Sequence, residues 1–118
     1  MADALDATLT VAPTDDGLAL TLTVENAGTG TADLSFADGQ RAEFVAVDAD
    51  GREVWRWSEG RLFTTALGSE TLAPGDAAEY GAEWPSPPPG EYEVTGSLAA
   101  TDADAEASMT VVVPDDGE

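Results

Sequence analysis

The sequence predicts an all-β fold, an antiparallel sandwich of about eight to nine strands, on three observations. Apolar residues alternate with polar ones in short runs, as in strands that bury one face. Gly, Pro, Asn and Asp separate these runs roughly every 8–12 residues. No stretch has the periodicity of an amphipathic helix. We therefore expect two packed sheets, no substantial helix, and a single domain over residues 1–113.

Five strands are predicted in the first half of the chain. Alternating apolar residues at 5–11 and 18–24, separated by a turn, indicate an antiparallel pair with one buried face. A third, short strand is expected at 32–36. Residues 41–48 carry apolar side chains on both faces, which indicates a central strand or one that crosses between sheets. Residues 52–58 are expected to complete a hairpin with it, with the tip near Asp50-Gly51.

The second half begins with residues 58–68, which do not alternate and are expected to form a loop or short crossover with Phe63 in the core. Four further strands are predicted at 71–72, 76–84, 92–98 and 107–113. Residues 85–89, all proline except Ser86, are expected to be a rigid, extended loop. Residues 114–118 are expected to be a disordered acidic tail.

Charge is the strongest signal in the composition. The chain has 24 acidic residues and four arginines, with no lysine and no histidine. Such like charges repel one another, and molar salt screens the repulsion because the Debye length falls to about 3 Å. We interpret the composition as adaptation to a salt-loaded cytoplasm; a mimic of nucleic acid that binds a basic partner and a cation-binding role are the alternatives. Direct binding to nucleic acid is disfavoured because the chain and the phosphate backbone are both negatively charged.

The charge is unevenly distributed along the chain. Residues 41–61 hold all four arginines against five acidic residues, whereas the other positions hold 19 acidic residues and no base. Two interpretations remain open for this near-neutral segment. Its arginines either pair with neighbouring carboxylates for structural reasons, or they are presented to a partner through bidentate pairing and stacking.

Several kinds of chemistry are excluded by residues that the sequence lacks. Without cysteine there are no disulfides and no thiolate ligands, and without histidine and lysine the usual nucleophile–base pairs cannot form. We expect no enzyme activity, no cofactor and no metal site. Asp48-x-Asp50-Gly51 fits a hairpin turn better than a calcium loop, since the bidentate glutamate is missing. Adventitious cation binding by Asp102, Asp104 and Glu106 is the remaining option.

The beginning of the sequence has no basic, apolar leader, and no window approaches the roughly 20 apolar residues of a membrane span. We therefore expect a cytoplasmic protein without a membrane partner.

Two tryptophans lie in the hairpin that holds most of the arginines. Strict alternation places Trp55 and Trp57 on one face of the strand and Val54 and Arg56 on the other. This aromatic stripe favours a place in the core, with a binding surface as the alternative. Tyr92 is a candidate tyrosine corner, its hydroxyl bonding back to the backbone.

Five segments in register resemble the intracellular proteinase inhibitor family, the BsuPI type. They are residues 35–48 (SFADGQRAEFVAVD), 54–58 (VWRWS), 63–67 (FTTAL), 72–75 (LAPG) and 90–94 (GEYEV). The resemblance spans roughly residues 18–100. It implies an immunoglobulin-like β-sandwich that binds a cytoplasmic serine protease. The sequence departs from the family at Thr65, where glutamine is usual, so the target specificity is expected to differ or be lost if this position touches a partner.

An inhibitor of this kind needs a rigid exposed segment that fills a protease cleft. Residues 58–65 and the proline loop 85–89 both qualify by composition. The partner-binding residues predicted from the hairpin and the first loop are Arg52, Arg56, Arg61, Leu62, Phe63 and Thr65. The alternative is an immunoglobulin-like structural or interaction module without inhibitory activity, which would use the arginine-bearing hairpin or a free sheet edge.

Overall fold

The computed structural model describes residues 5–15, 17–37, 39–59, 68–101 and 105–114. Within these ranges it contains nine strands and no helix, which confirms the all-β prediction. The strands are β1 (Leu5–Pro13), β2 (Gly17–Asn26), β3 (Ala32–Phe36), β4 (Ala42–Val47), β5 (Glu53–Arg56), β6 (Gly68–Leu72), β7 (Ala77–Pro85), β8 (Gly90–Leu98) and β9 (Glu106–Val113).

The strands form three antiparallel sheets. One sheet has the order β1-β2-β7 and a second has the order β5-β4-β8-β9, while β3 and β6 form a separate pair. The antiparallel pairing of the first two strands is confirmed, with Leu9 opposite Leu22. Strand β4 lies between β5 and β8, so its apolar residues on both faces do mark a central strand.

The core lies between the three-stranded and the four-stranded sheet. Leu22 of β2 and Val94 of β8 are fully buried, as the period-2 pattern requires. Gly96 shows how closely the sheets approach. A Cβ atom at this position would lie 3.2 Å from the ring of Phe44 and 3.3 Å from Leu9, on β4 and β1. Because those two residues belong to opposite sheets, the glycine allows both to pack across the same point.

One buried polar residue joins the small β3–β6 sheet to the end of β2. Asn26 is 1% exposed, and its amide donates hydrogen bonds to the carbonyls of Gly30 (2.8 Å) and Leu72 (2.9 Å). Its side-chain oxygen accepts the N–H of Gly28 at 3.0 Å. Every polar atom of this side chain is therefore paired, as burial demands.

Among the predicted strands, β5 and β6 differ most from the structure in extent. Strand β5 covers only residues 53–56 instead of 52–58, because a bulge leaves Val54 unpaired and Trp57 enters a turn. Strand β6 begins at residue 68, not 71, since pairing with β3 extends it toward the preceding loop. The expectations for a loop with Phe63 in the core and for a disordered tail concern residues 60–67 and 115–118, which lie outside the described residues.

Candidate functional site

The β4–β5 hairpin is built around a turn that Asp48 closes. Its carboxylate accepts the backbone N–H groups of Asp50 (2.9 Å) and Arg52 (3.0 Å). Gly51 has φ +84°, a conformation that a residue with a Cβ rarely adopts. The hairpin tip is thus the one expected from the sequence, and it displays Arg52 and Val54, both exposed, on its outer side.

Just beyond β5, the chain is attached to β4 by the carboxylate of Glu43. One oxygen accepts the backbone N–H of Phe44 (3.0 Å) and of Ser58 (3.1 Å). The other accepts the Ser58 hydroxyl and the Nη1 group of Arg56 (3.2 Å). Arg56 also binds Glu53 with two hydrogen bonds, of 2.8 and 3.1 Å.

These contacts set the ionisation of the cluster. Partial burial raises the pKa of Glu43, but the hydrogen bonds from Ser58, Phe44 and Arg56 outweigh it and hold the pKa below its usual value. The hydrogen bond from Arg56 likewise lowers the pKa of Glu53, and the two carboxylates raise the pKa of Arg56. At neutral pH all three side chains are charged, and the Glu43 carboxylate anchors Ser58 to β4.

The chain that enters β6 is held by a second arginine–carboxylate cluster. Arg41, on the segment before β4, lies 3.3 Å from Glu70 of β6 and 4.4 Å above the ring of Phe36. The other oxygen of Glu70 accepts the hydroxyl of Tyr80 at 2.7 Å, and burial together with this bond raises the pKa of that tyrosine. The cluster connects β6 both to β7 and to the start of β4.

Gly68 lies against this second cluster. A Cβ atom there would lie 2.4 Å from an Nη atom of Arg41, so a larger residue would make the guanidinium shift. The guanidinium therefore packs directly on the backbone of the first residue of β6. Residues 59 and 68, on either side of segment 60–67, thus each lie next to a charged cluster.

The four arginines fall into different classes once these contacts are known. Arg41 and Arg56 are bound to carboxylates, so the structural interpretation of the near-neutral segment holds for both. Arg52 is exposed, and no described carboxylate lies within ion-pair distance of its guanidinium. Arg61 lies outside the described residues, together with Leu62, Phe63 and Thr65. Of the predicted partner-binding residues, the structure therefore locates two, Arg52 and Arg56.

Both tryptophans of the hairpin are half-buried and pack against the core. Trp55 stacks on Trp84 of β7, and Trp84 meets the edge of Tyr92, with centroid distances of 5.3 and 5.1 Å. Trp57 stands edge-on to Phe44 at 6.2 Å. Trp55 thus packs between the two large sheets and Trp57 packs against the core residue Phe44, as the sequence pattern favoured.

The proline loop between β7 and β8 is fixed by Tyr92. The tyrosine hydroxyl donates a hydrogen bond of 2.8 Å to the carbonyl of Pro88, the bond back to the backbone that was expected of it. Ser86 adopts a positive φ of 51°, and Gly90 one of 147°. The hydrogen bond from Tyr92 anchors the loop to β8, and the prolines at 88 and 89 are exposed.

Sequence reasoning missed the groups that anchor these segments. The signal for Glu43 and Arg56 was present, since residues on facing strands with opposite charge attract one another, but the register that brings them together includes an unpredicted bulge. Glu70, Tyr80 and Asn26 were missed because their partners lie on strands distant in sequence.

Among the described residues, no group of three acidic side chains is arranged to hold a metal ion, and Asp102 and Asp104 lie outside them. The described part of the chain contains no helix of the length and apolarity needed to span a membrane.

Comparison with protein families gives one match over most of the chain. A family model described as BsuPI, intracellular proteinase inhibitor, matches residues 5–103. No curated protein sequence matches the chain significantly.

Solved structures show the same fold at low identity. Beta-glucosidase 3B from Thermotoga neapolitana, in complex with glucose, matches with a TM-score of 0.54 and 18% identity, over 96% of this chain and 16% of the glucosidase. Spo0M, the sporulation control protein from Bacillus subtilis, matches with a TM-score of 0.53 and 18% identity, over 98% of this chain and 50% of Spo0M. The chain thus corresponds to a minor part of one relative and half of the other, and the likeness concerns the fold alone.

Proposed function

The chain belongs to the intracellular proteinase inhibitor family, BsuPI, and on that premise we propose that it inhibits a cytoplasmic serine protease by occluding the active-site cleft. It acts as a non-enzymatic binding domain and needs no cofactor. Inhibition by occlusion requires only that a preformed surface of the domain fits the cleft more tightly than a substrate does.

The observation that carries this proposal is the pair of charged clusters on either side of segment 60–67. Glu43 and Arg56 hold the chain before the segment, and Arg41 and Glu70 hold the chain after it. A binding segment with fixed ends loses less conformational entropy when it enters a cleft, so more of the contact energy appears as affinity. Arg61, Leu62, Phe63 and Thr65 belong to this segment and are proposed to contact the protease.

Arg52 extends the proposed surface along the hairpin. It is exposed beside Val54, which is 44% exposed, and a chain with a net charge of −20 offers few other places where an acidic partner surface fits. Arginine next to an exposed apolar side chain is typical of protein interfaces. We assign Arg56 an indirect part, since its guanidinium is already bound to Glu43 and Glu53.

The acidic composition supports a host whose cytoplasm is rich in salt. With 24 acidic residues and four arginines, the domain would bind its protease under conditions in which long-range repulsion is screened.

The test is a titration of subtilisin-type intracellular serine proteases, including that of the host, with the purified domain in 2 M NaCl (on the order of the salt needed for full screening). We expect residual peptidase activity to fall in proportion to added domain until the two are equimolar. Activity that stays unchanged at stoichiometric excess against the host protease overturns the proposal. Capture of a different partner at the same salt would then indicate an interaction module without inhibitory activity.

A further inference from the structure

The loop that joins β7 to β8 presents two prolines to solvent. It contains three consecutive prolines, of which Pro88 and Pro89 are exposed and Pro87 is half-buried. Each proline ring fixes φ at about −65°, and a residue that precedes a proline is held in the extended or polyproline II region. Since Pro87 and Pro88 both precede a proline, residues 87–89 form one preformed turn of a polyproline II helix.

Buried aromatic rings hold this proline turn in place. The hydroxyl of Tyr92 donates a hydrogen bond of 2.8 Å to the carbonyl of Pro88. Tyr92 and Trp84 are both buried, and their rings pack nearly perpendicular to each other with the centroids 5.1 Å apart. Because the bond from Tyr92 uses a backbone carbonyl, it fixes the path of the loop and leaves the rings of Pro88 and Pro89 at the surface.

The chemistry of the proline turn determines what kind of site it can enter. Segments that pair with a partner's backbone as an added strand need N–H donors, and residues 87–89 have none. Exposed proline rings suit instead a groove lined by aromatic side chains, and a preformed turn loses little entropy when it binds there. The nearest charged residues in sequence, Glu83 and Glu91, are exposed carboxylates, so a groove with a basic rim is complementary.

The proline turn lies far from the start of segment 60–67. At the other end of β8, Ser97 pairs with Glu43, whose carboxylate holds Ser58 just before that segment. Residues 90–97 span about 23 Å when extended. The proline turn and the point where the chain enters segment 60–67 are therefore near opposite ends of β8.

We propose that the proline turn, residues 87–89, is a docking ligand for a partner protein that has an aromatic-lined groove with a basic rim. Pro88 and Pro89 insert between the aromatic side chains of the partner. Tyr92 is a positioning residue, which holds the turn in the conformation that binds. Docking at this turn does not require protease inhibition, so either activity can be present without the other.

The probe for this site is a WW domain, a protein module whose aromatic-lined groove binds proline-rich segments. It is titrated into the ¹⁵N-labelled full chain in about 1 M NaCl, where long-range charge effects are screened. We expect saturable shifts of the backbone amides of Ser86, Gly90 and Glu91, the residues that flank the proline turn. The amides of segments at the other end of the sandwich are expected to stay unchanged.

Replacing both exposed prolines, Pro88→Ala with Pro89→Ala, is expected to weaken binding of the probe about tenfold or more. The carbonyl that binds Tyr92 belongs to the backbone and remains in this variant. Pro74→Ala is the matched control, because Pro74 is also an exposed loop proline but lies beside Asn26, at the other end of β2. It is expected to leave probe binding unchanged, and the amide spectrum of each variant reports whether it is folded.

Tyr92→Phe tests the positioning role, since it removes the hydroxyl and keeps the ring. We expect binding of the probe to weaken several-fold although both exposed prolines are still present. In the variant that lacks these prolines, Tyr92→Phe is expected to cause no further loss, because a positioning residue acts only through the groups that it positions. An equal loss in both backgrounds would assign Tyr92 a structural role alone.

Two results overturn the proposal. One is the absence of saturable shifts at Ser86, Gly90 and Glu91 up to about 1 mM probe, the weak end of measurable affinity. The other is loss of protease inhibition in the variant without Pro88 and Pro89, which would assign the loop to the protease-binding surface. A chain that inhibits no protease but binds the probe would refute the inhibitor function and leave the docking site established.

Discussion

The indole ring of Trp55 lies parallel to that of Trp84, 5.3 Å away and with 12° between the ring planes. Trp55 is on β5 and Trp84 is on β7, so the contact joins the outermost strands of the two large sheets. It connects the two large sheets on that side and supports the hairpin, while on the other side β1 lies beside β9.

Removal of the Trp55 ring is expected to weaken this connection between the sheets. Trp55→Ala should lower the free energy of unfolding by about 3 kcal/mol, the lower end of the range for large aromatic residues, because the ring is only half-buried. Trp55→Phe should cost less, since part of the stacking remains. Urea unfolding followed by circular dichroism measures both. An alanine variant as stable as the wild type would show that the stack contributes nothing.

The carboxylate of Glu43 is expected to stabilise the fold more than an ordinary surface acid. Glu43→Gln should lower the free energy of unfolding by about 2 kcal/mol, because the charge-assisted bonds to Arg56 and Ser58 are lost. Glu79→Gln is the control, an exposed carboxylate on β7 whose removal also reduces the net negative charge. If both variants lose the same stability in urea titrations, the cluster has no special role.

Acid should remove the contribution of Glu43 selectively. Its pKa is lowered in the folded state, so the unfolded chain takes up the proton first as the pH falls. The stability difference between wild type and Glu43→Gln is therefore full at neutral pH and shrinks below about pH 4.3, the ordinary value for glutamate. Comparing the two proteins cancels the titration of the other carboxylates. A difference that is constant from pH 7 to pH 3 would contradict this assignment.

The large-scale fold could be predicted from the sequence, but the clusters could not. Alternation at Leu20, Leu22 and Val24 requires one buried face in any sheet, and all three are buried. The partnership of Glu43 with Ser58 depends instead on the bulge at Val54, and that of Arg41 with Glu70 on a pairing of β3 with β6 that local pattern does not specify. Periodicity thus predicts on which face of its sheet a side chain lies, but not which residues of other strands lie next to it.

Salt is expected to control stability through the net charge of −20. We expect cooperative unfolding in 2 M NaCl and a loss of cooperativity in dilute buffer, because the Debye length there exceeds the distance between neighbouring carboxylates. Thermal melts followed by circular dichroism, with sucrose at matched osmolality as the control, measure this. A sharp transition at an unchanged temperature in low salt would refute the screening argument.

Arg52 and Arg56 provide the sharpest test of the protease-binding surface, because both are arginines of the same hairpin and only one is bound to described carboxylates. Arg52→Ala should leave the free energy of unfolding within about 0.5 kcal/mol of the wild type, as for other surface substitutions. We expect it to weaken inhibition about tenfold, which corresponds to about 1.4 kcal/mol. Arg56→Ala should lower stability as well, since it disrupts the cluster that holds Ser58.

The inhibition constant and the urea midpoint of each variant separate direct contact from support. If Arg52 touches the protease, its variant loses affinity alone, whereas the Arg56 variant loses affinity and stability together. Ionic strength gives an independent check, because a charge at the rim of an interface acts mainly on the association rate. The loss caused by Arg52→Ala should therefore shrink as NaCl rises from 0.5 to 3 M. Unchanged inhibition by Arg52→Ala at every salt concentration would remove the hairpin tip from the proposed surface and leave segment 60–67 as its remaining part.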